Sequence, residues 1–304
     1  PIISCRKRES LDASFRDAMS LAAVGLLFFA GICHAGWNLL VKQADGDRFI
    51  FTWWGLVASA IGVLPLVIVG EPLPREIWPY VITSALVETV YFVTLVSAYG
   101  KGDFSLVYPI ARGTAPAFLA LWAALFLGES LQAAGAAGLA SVVVGLVVIG
   151  SSAWWDRDEN QRISTTSLWL ALFVALCISI YSAIDGAAVQ SVSPLSYYLT
   201  VISLTALFVT PVLLVRSGWS SLLAEGRASW KPIALVGILG LVSYTLVLAA
   251  YQLAPVSYAG AVREVSVVFA ALMGWLWLGE RLGAIRVVGA LVIFGGILLI
   301  AGTG

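Results

Sequence analysis

Five ionisable side chains lie inside long apolar stretches of this sequence, where each charge needs a specific reason. They are Glu88, Arg112, Asp185, Arg263 and Glu264. A charge at the centre of a lipid-spanning helix costs about 2.5–3.5 kcal/mol on insertion scales, so such groups are usually paired or functional. A guanidinium binds carboxylate or phosphate through planar, bidentate hydrogen bonds. The arginines are therefore interpreted either as an anion-recognition pair or as the cations of internal salt bridges.

The neighbours Arg263 and Glu264 carry opposite charges in adjacent positions. Consecutive residues of a helix point about 100° apart, so the sequence predicts that these two do not simply neutralise each other. In the salt-bridge interpretation, the available carboxylate partners of the arginines are Glu88, Asp185 and Glu264.

A second group of polar candidates repeats at a shift of 147 residues. His34, Trp37 and Asn38 share one helical face, and Tyr181 and Asp185 repeat the same spacing. Asp185 is the predicted site of proton coupling, and His34 is either a partner for that proton or a permanently neutral imidazole. The alternative interpretation is that these groups form hydrogen bonds between helices and only stabilise the bundle.

Three tyrosines are the predicted aromatic lining of a substrate cavity. Tyr91 follows Glu88 by three residues, Tyr244 lies deep in its own apolar segment, and Tyr108 precedes Arg112 by one turn. A phenol in an apolar environment needs a polar partner. Packing within the bundle is the alternative interpretation.

The composition indicates a membrane protein. Of the 304 residues, 60% are hydrophobic and 11% are charged, against about 45–50% and about 25% in soluble domains. The net charge is zero, and the absence of a long basic run argues against a nucleic-acid partner. Three unpaired cysteines and one histidine predict neither a metal site nor a disulfide framework. No catalytic or cofactor-binding motif is found, so neither an enzyme nor a cofactor is predicted.

The fold class predicted from segment length is an all-α integral membrane protein with ten transmembrane helices. A polar arm (1–18) precedes a first five-helix repeat (19–152), a linker (153–166) and a second five-helix repeat (167–304). The predicted spans are 19–41, 49–70, 77–99, 104–127, 132–151, 167–190, 195–215, 231–252, 256–278 and 284–302.

The two halves resemble each other at a shift of 151 residues. RGTAPAFLALWAALFLGESL, which begins at Arg112, aligns with REVSVVFAALMGWLWLGERL, which begins at Arg263. An odd number of spans per repeat requires the second copy to enter the membrane inverted. Inverted repeats with a midplane site are typical of secondary carriers. Glycines in spans five and ten predict close packing of those helices.

The motifs HAGWNLLVK, LGESL and LGERL, with the five-plus-five arrangement, resemble the drug/metabolite transporter superfamily and its ten-helix EamA-type branch. The resemblance covers residues 19–304. It implies a central cavity lined mainly by spans one, three, four, six, eight and nine, and a multi-pass protein of the bacterial inner membrane. It also implies cytoplasmic termini, whereas ten basic residues on the side of the odd-numbered loops against five opposite favour external termini.

The sequence thus predicts a secondary transporter that works by alternating access, with an amino acid as the preferred export substrate. A phosphate- or phosphonate-bearing anion and a hydrophobic cation are the alternatives, and a channel or structural membrane protein is the alternative class. The expected partners are lipid, a small-molecule substrate and protons as a coupling ion, in a monomer or weak homodimer. An anion-binding role predicts that Arg112→Gln loses transport but still folds.

Overall fold

The computed structural model describes residues 19–69, 72–99, 104–155, 165–279 and 283–302, and these are all helical or connecting segments. The predicted N-terminal arm (1–18) and most of the predicted linker lie outside the described residues. The helices are α1 (Leu21–Lys42), α2 (Arg48–Val69), α3 (Trp78–Tyr99, preceded by a 3-10 turn at Arg75–Ile77), α4 (Phe104–Phe126), α5 (Ala133–Trp155), α6 (Thr165–Ala188), α7 (Pro194–Ala228), α8 (Trp230–Tyr251), α9 (Val256–Val262), α10 (Val265–Leu278) and α11 (Ala284–Ala301).

Eight segments in the described part of the chain are long and apolar enough to cross a membrane. They are Leu21–Lys42, Arg75–Leu95, Ala133–Ser151, Leu168–Ala188, Pro194–Ala228, Trp230–Tyr251, Val256–Trp277 and Ala284–Ala301. The helices α2 and α4 occupy the other two predicted spans, and α4 contributes a shorter apolar stretch, Ala111–Phe126. The chain is therefore an all-helical, multi-pass membrane protein.

The seventh predicted span, 195–215, corresponds to the part of α7 before a kink, and α7 extends beyond it. The helical structure continues to Ala228 and is broken only at Gly218, where φ is 73° and ψ is 162°. Glycine tolerates this positive φ because it has no Cβ. The part of α7 after Gly218 packs against α2. Its Leu222 is fully buried, and the Leu222 carbonyl accepts a hydrogen bond of 2.8 Å from the Trp54 indole N–H.

The ninth predicted span is interrupted. Between α9 and α10 the backbone tightens, and Glu264 N–H donates to the Ala261 carbonyl three residues earlier, at 3.1 Å. Hydrogen bonds between residues three apart, rather than four, change the direction in which successive side chains leave the helix. The interruption falls at Arg263 and Glu264, so it sets the geometry of the charged cluster.

The predicted repeat makes α1 equivalent to α6, α2 to α7, α3 to α8, α4 to α9 and α10, and α5 to α11. The contacts between helices stay the same when each helix is replaced by its predicted equivalent. Helix α1 packs on α8 and α10, as α6 packs on α3 and α4, while α2 packs on α7 and α5 on α11. The α5–α11 contact is as close as its glycines predict. A Cβ on Gly138 would lie 2.7 Å from the Gly296 carbonyl oxygen, and one on Gly145 would lie 2.7 Å from that of Gly289.

Candidate functional site

Asp185 is a fully buried acceptor that joins four helices. It lies one turn before the end of α6, and its Oδ1 accepts hydrogen bonds from Ser84 Oγ of α3 at 2.6 Å and from the Tyr197 hydroxyl of α7 at 2.8 Å. Its Oδ2 accepts a hydrogen bond from the Tyr244 hydroxyl of α8. Three hydroxyl donors compensate much of the cost of burying a carboxylate. Asp185 therefore couples the packing of α3, α6, α7 and α8.

The two arginines share one buried carboxylate. Arg112 Nε of α4 lies 3.0 Å from Glu264 Oε2, and Arg263 Nε lies 3.7 Å from Glu264 Oε1. Arg112 also donates to Ser266 Oγ at 3.1 Å, and Arg263 donates to Ser182 Oγ at 3.4 Å. All three charged side chains are at least nine-tenths buried.

The expectation that Arg263 and Glu264 cannot neutralise each other is wrong. It assumed a continuous helix, whereas α9 ends at Val262 and α10 begins at Val265. The backbone at this break lets Glu264 reach both guanidinium groups. The geometry favours the salt-bridge interpretation of Arg112 and Arg263 over direct recognition of an anion.

Glu88 differs from the other two carboxylates. It is only partly buried, and its Oε2 accepts one hydrogen bond, 3.0 Å long, from Thr205 Oγ1 of α7. No ion pair involving Glu88 is found within the described residues. Asp185 is the acidic group with which it interacts electrostatically. Glu88 is thus a carboxylate inside the bundle that still has accessible surface.

A cluster of tyrosine rings joins α3, α6, α7 and α8 beside these carboxylates. The ring of Tyr181 lies 6.1 Å from Tyr91 and 6.2 Å from Tyr244, and Tyr244 lies 4.8 Å from Tyr198, measured between ring centroids. Tyr181 and Tyr198 are buried, whereas Tyr91 and Tyr244 are partly exposed. In this set, named here the tyrosine cluster, Tyr91, Tyr181 and Tyr244 lie near one another.

Sequence analysis missed Tyr197 and Tyr198. They stand in the first turn of α7, where aromatic residues usually indicate a membrane interface. Helical spacing could have identified Tyr198. It lies seven residues, about two turns, before Thr205, so the two side chains share one face of α7.

The first-half candidates on α1 are placed differently from their counterparts on α6. The His34 and Trp37 rings pack edge to face with centroids 5.0 Å apart, and Asn38 Nδ2 donates to the His34 carbonyl within the same helix at 2.8 Å. Trp37 packs against a small apolar cluster that includes Phe51 and Val236. Asn38 therefore does not repeat the hydrogen bonds between helices that Asp185 makes. His34 lies within electrostatic range of both arginines.

The remaining candidate, Tyr108, belongs to the backbone of α4, but its side chain lies outside the described residues. A separate cavity of about 430 Å³ opens between α3, α4 and α6. Its lining is mainly apolar and includes Tyr80, Trp122, Phe126 and Ile184. The exposed faces of Phe126 and Tyr80 indicate that this cavity borders the lipid rather than the charged centre.

Apolar helices of membrane-spanning length enclose a buried, polar centre that draws side chains from both halves of the chain. The EamA-like transporter family matches residues 21–151 and again residues 165–302. The chain belongs to this family, within the drug/metabolite transporter superfamily.

Individual relatives are distant but span almost the whole chain. Two proteins named pseudopaline exporter CntI, from Pseudomonas aeruginosa strains UCBPP-PA14 and ATCC 15692, are 24% and 25% identical over 295 residues. Each match covers 92% of this chain and 93% of the relative. A solved crystal structure with 17% identity and a TM-score of 0.71 covers 91% of this chain and 95% of its own, which shows a shared fold.

Proposed function

We propose that this protein is a secondary carrier that exports a small polar or amphipathic metabolite across the bacterial inner membrane by alternating access. The observation that carries the proposal is the position of the charged centre. Its ion pairs and hydrogen bonds join α3 and α4 of the first half to α6, α7, α10 and the α9–α10 break of the second half. A site built between two halves changes its access when the halves move against each other. An amino acid is the preferred substrate, and the exporters named above support the direction.

The carrier is proposed to have ten spans in two inverted five-helix repeats. The family match falls once in each half, and the helix contacts are preserved when the halves are exchanged. Five spans per half place equivalent ends on opposite faces of the membrane. The connection after α4, with Glu129, and the connection after α10, with Glu280 outside the described residues, are such a pair.

Single cysteines at Ser130 and Arg281, in a background without Cys5, Cys33 and Cys177, are expected to react from opposite faces of the membrane. The physical reason is the odd number of crossings between two equivalent turns. The measurement is labelling of intact cells and inverted vesicles with a membrane-impermeant maleimide. Reaction of both cysteines from one face would refute the inverted repeat.

Glu129 supplies a contact between the halves that is suited to closing one side of the carrier. Its carboxylate accepts hydrogen bonds from the Val256 N–H, from the Ser257 N–H at 3.1 Å and from the Ser257 hydroxyl. Val256 and Ser257 are the first two residues of α9. The N–H groups in the first turn of a helix have no partner within the helix and therefore favour an anion. The Tyr258 hydroxyl accepts a further hydrogen bond from the Gln132 N–H at 3.1 Å.

Two glutamines form further hydrogen bonds on the same side of the bundle, between the ends of α6 and α8. Gln190 Nε2 donates to the Tyr251 carbonyl at 2.8 Å, and Gln252 Nε2 donates to the Val189 carbonyl. Bonds to backbone carbonyls at helix ends satisfy groups that would otherwise need water. With Glu129, they hold together the ends of α4, α6, α8 and α9 in this structure. The proposed carrier must break the bonds of Glu129 and Gln132, which join the two halves, to open on this side.

Cross-linking Glu129→Cys to Ser257→Cys is expected to abolish at least about nine-tenths of transport, because the halves can then no longer separate on this side. The link is made with a short bis-thiosulfonate in the cysteine-free background, and counterflow is measured in proteoliposomes before and after reduction. The matched controls are the single variants Glu129→Cys and Ser257→Cys treated with the same reagent, in which no link between the halves can form. Full activity in the linked Glu129→Cys protein would contradict a closing role.

Counterflow is the direct test of carrier function. Proteoliposomes loaded with unlabelled amino acids should transiently accumulate the matching labelled amino acid, because a carrier exchanges substrate through one site while a channel dissipates the gradient. Phosphonates and hydrophobic cations complete the substrate panel. Downhill flux without accumulation for every compound would favour a channel.

A further inference from the structure

The charges in the centre of the bundle do not balance. With all five side chains ionised, Arg112 and Arg263 supply two positive charges, and Glu88, Asp185 and Glu264 supply three negative ones. Glu264 contacts both arginines, and Asp185 is held by three hydroxyls. An uncompensated charge is costly inside an apolar bundle unless a counter-charge is bound. Glu88 is the carboxylate for which the described residues provide no cation.

The surroundings of Glu88 are suited to a cation with an organic body. Tyr91 lies one turn beyond it on α3, and Thr205 on α7 fixes one carboxylate oxygen. Glu88 also lies within electrostatic range of Tyr181, Tyr198 and Tyr244 of the tyrosine cluster. The negative faces of aromatic rings attract ammonium groups, and a carboxylate beside them adds direct charge pairing.

We propose that Glu88 and the tyrosine cluster form an ammonium subsite, so that the transported metabolite is recognised through a protonated amine. The amine pairs with the accessible oxygen of Glu88, and the partly exposed rings of Tyr91 and Tyr244 contact its organic body. The arginines and Glu264 form the internal scaffold behind this subsite. The assignment rests on the proposed carrier function and specifies the chemistry of its substrate.

Three probes with closely matched bodies test which group is recognised. Binding of 2-phenylethylamine, phenylalanine and 3-phenylpropionate to the purified full-length protein is measured by isothermal titration calorimetry. The amine and the amino acid should bind wild-type protein, and the carboxylate-only probe should not. Glu88→Gln should weaken binding of both amines by about tenfold to hundredfold, the range for losing a hydrogen bond to a charged group. Glu76→Gln removes an exposed carboxylate as the matched control and should bind normally.

Two outcomes would overturn the subsite. One is binding of 3-phenylpropionate as tight as that of 2-phenylethylamine, which would mean that a carboxylate is recognised. The other is unchanged amine affinity in Glu88→Gln, which would mean that Glu88 carries only a proton or a structural bond. Amine binding without counterflow would reject the carrier while supporting the subsite. Counterflow of an amine by Glu88→Gln with the wild-type KM would reject the subsite and keep the carrier.

The ring contribution is separated from the hydroxyl contribution by paired variants. Tyr91→Phe keeps an aromatic face and should weaken binding of 2-phenylethylamine less than Tyr91→Leu does. Tyr91→Leu loses that face and should weaken binding by about fivefold to tenfold, the size of a partly desolvated cation–π contact. Equal affinity of the two variants would exclude ring recognition at this position.

Discussion

Glu264→Gln is expected to destabilise the protein severely, with most of it failing to reach a monodisperse, folded state. The carboxylate lies 3.0 Å from Arg112 Nε and 3.7 Å from Arg263 Nε, and it has no exposed surface. An amide cannot neutralise either guanidinium, so two buried charges lose their counter-ion. Breaking a buried pair in this way costs about 3–5 kcal/mol. The measurement is thermal unfolding in detergent, followed by fluorescence-detected size exclusion.

Partial recovery in the double variant is the decisive control. Adding Arg112→Gln to Glu264→Gln removes one of the two stranded cations and leaves Arg263 within electrostatic range of Asp185. The double variant should therefore be more stable than Glu264→Gln alone, while the exposed-site variant Glu76→Gln stays at wild-type stability. If Glu264→Gln folds normally, and Arg112→Gln loses only transport, the arginines recognise substrate and the scaffold interpretation is wrong.

The charged cluster shows which parts of the site could be predicted. Glu88, Arg112, Asp185, Arg263 and Glu264 stand out because ionisable residues in apolar helices are costly, and the structure brings them together. Which of the three carboxylates pairs with both arginines could not be predicted, because it depends on the break between α9 and α10. That break carries no glycine or proline, as the sequence around it reads AVREVSV. It depends on tertiary contacts, which a helical periodicity does not encode.

Helices that the predicted repeat makes equivalent have equivalent packing partners, but the residues that it makes equivalent do not have equivalent roles. Asn38 and Asp185 occupy matching positions, yet Asn38 bonds within its own helix and Asp185 joins four helices. Divergence of this kind is expected where two halves form one asymmetric site. Tyr197 was missed for a related reason, since its role depends on Asp185 reaching it from α6.

Asp185→Asn is expected to abolish accumulation driven by a pH gradient while exchange of substrate continues. An ionised carboxylate only accepts hydrogen bonds, whereas a protonated one must also donate. Asp185 now accepts three, from Ser84, Tyr197 and Tyr244. A proton on this group forces at least one hydroxyl to turn away or to become an acceptor, which changes how α3, α7 and α8 are held against α6. Protonation and helix packing are therefore linked at this residue.

The charged and titratable groups around Asp185 make this link specific. Glu88 and Arg263 interact with it electrostatically, and the Tyr197 and Tyr244 hydroxyls bond to it directly. Asparagine keeps one acceptor and one donor group but cannot exchange a proton, so it fixes the centre in one hydrogen-bonding state. In proteoliposomes, counterflow should persist, and accumulation under an imposed pH gradient should fall by at least about tenfold. Ser84→Ala, which removes one donor and keeps the carboxylate, should retain the pH response. If Asp185→Asn matches wild type in both assays, the residue only holds helices together and the proton is carried elsewhere.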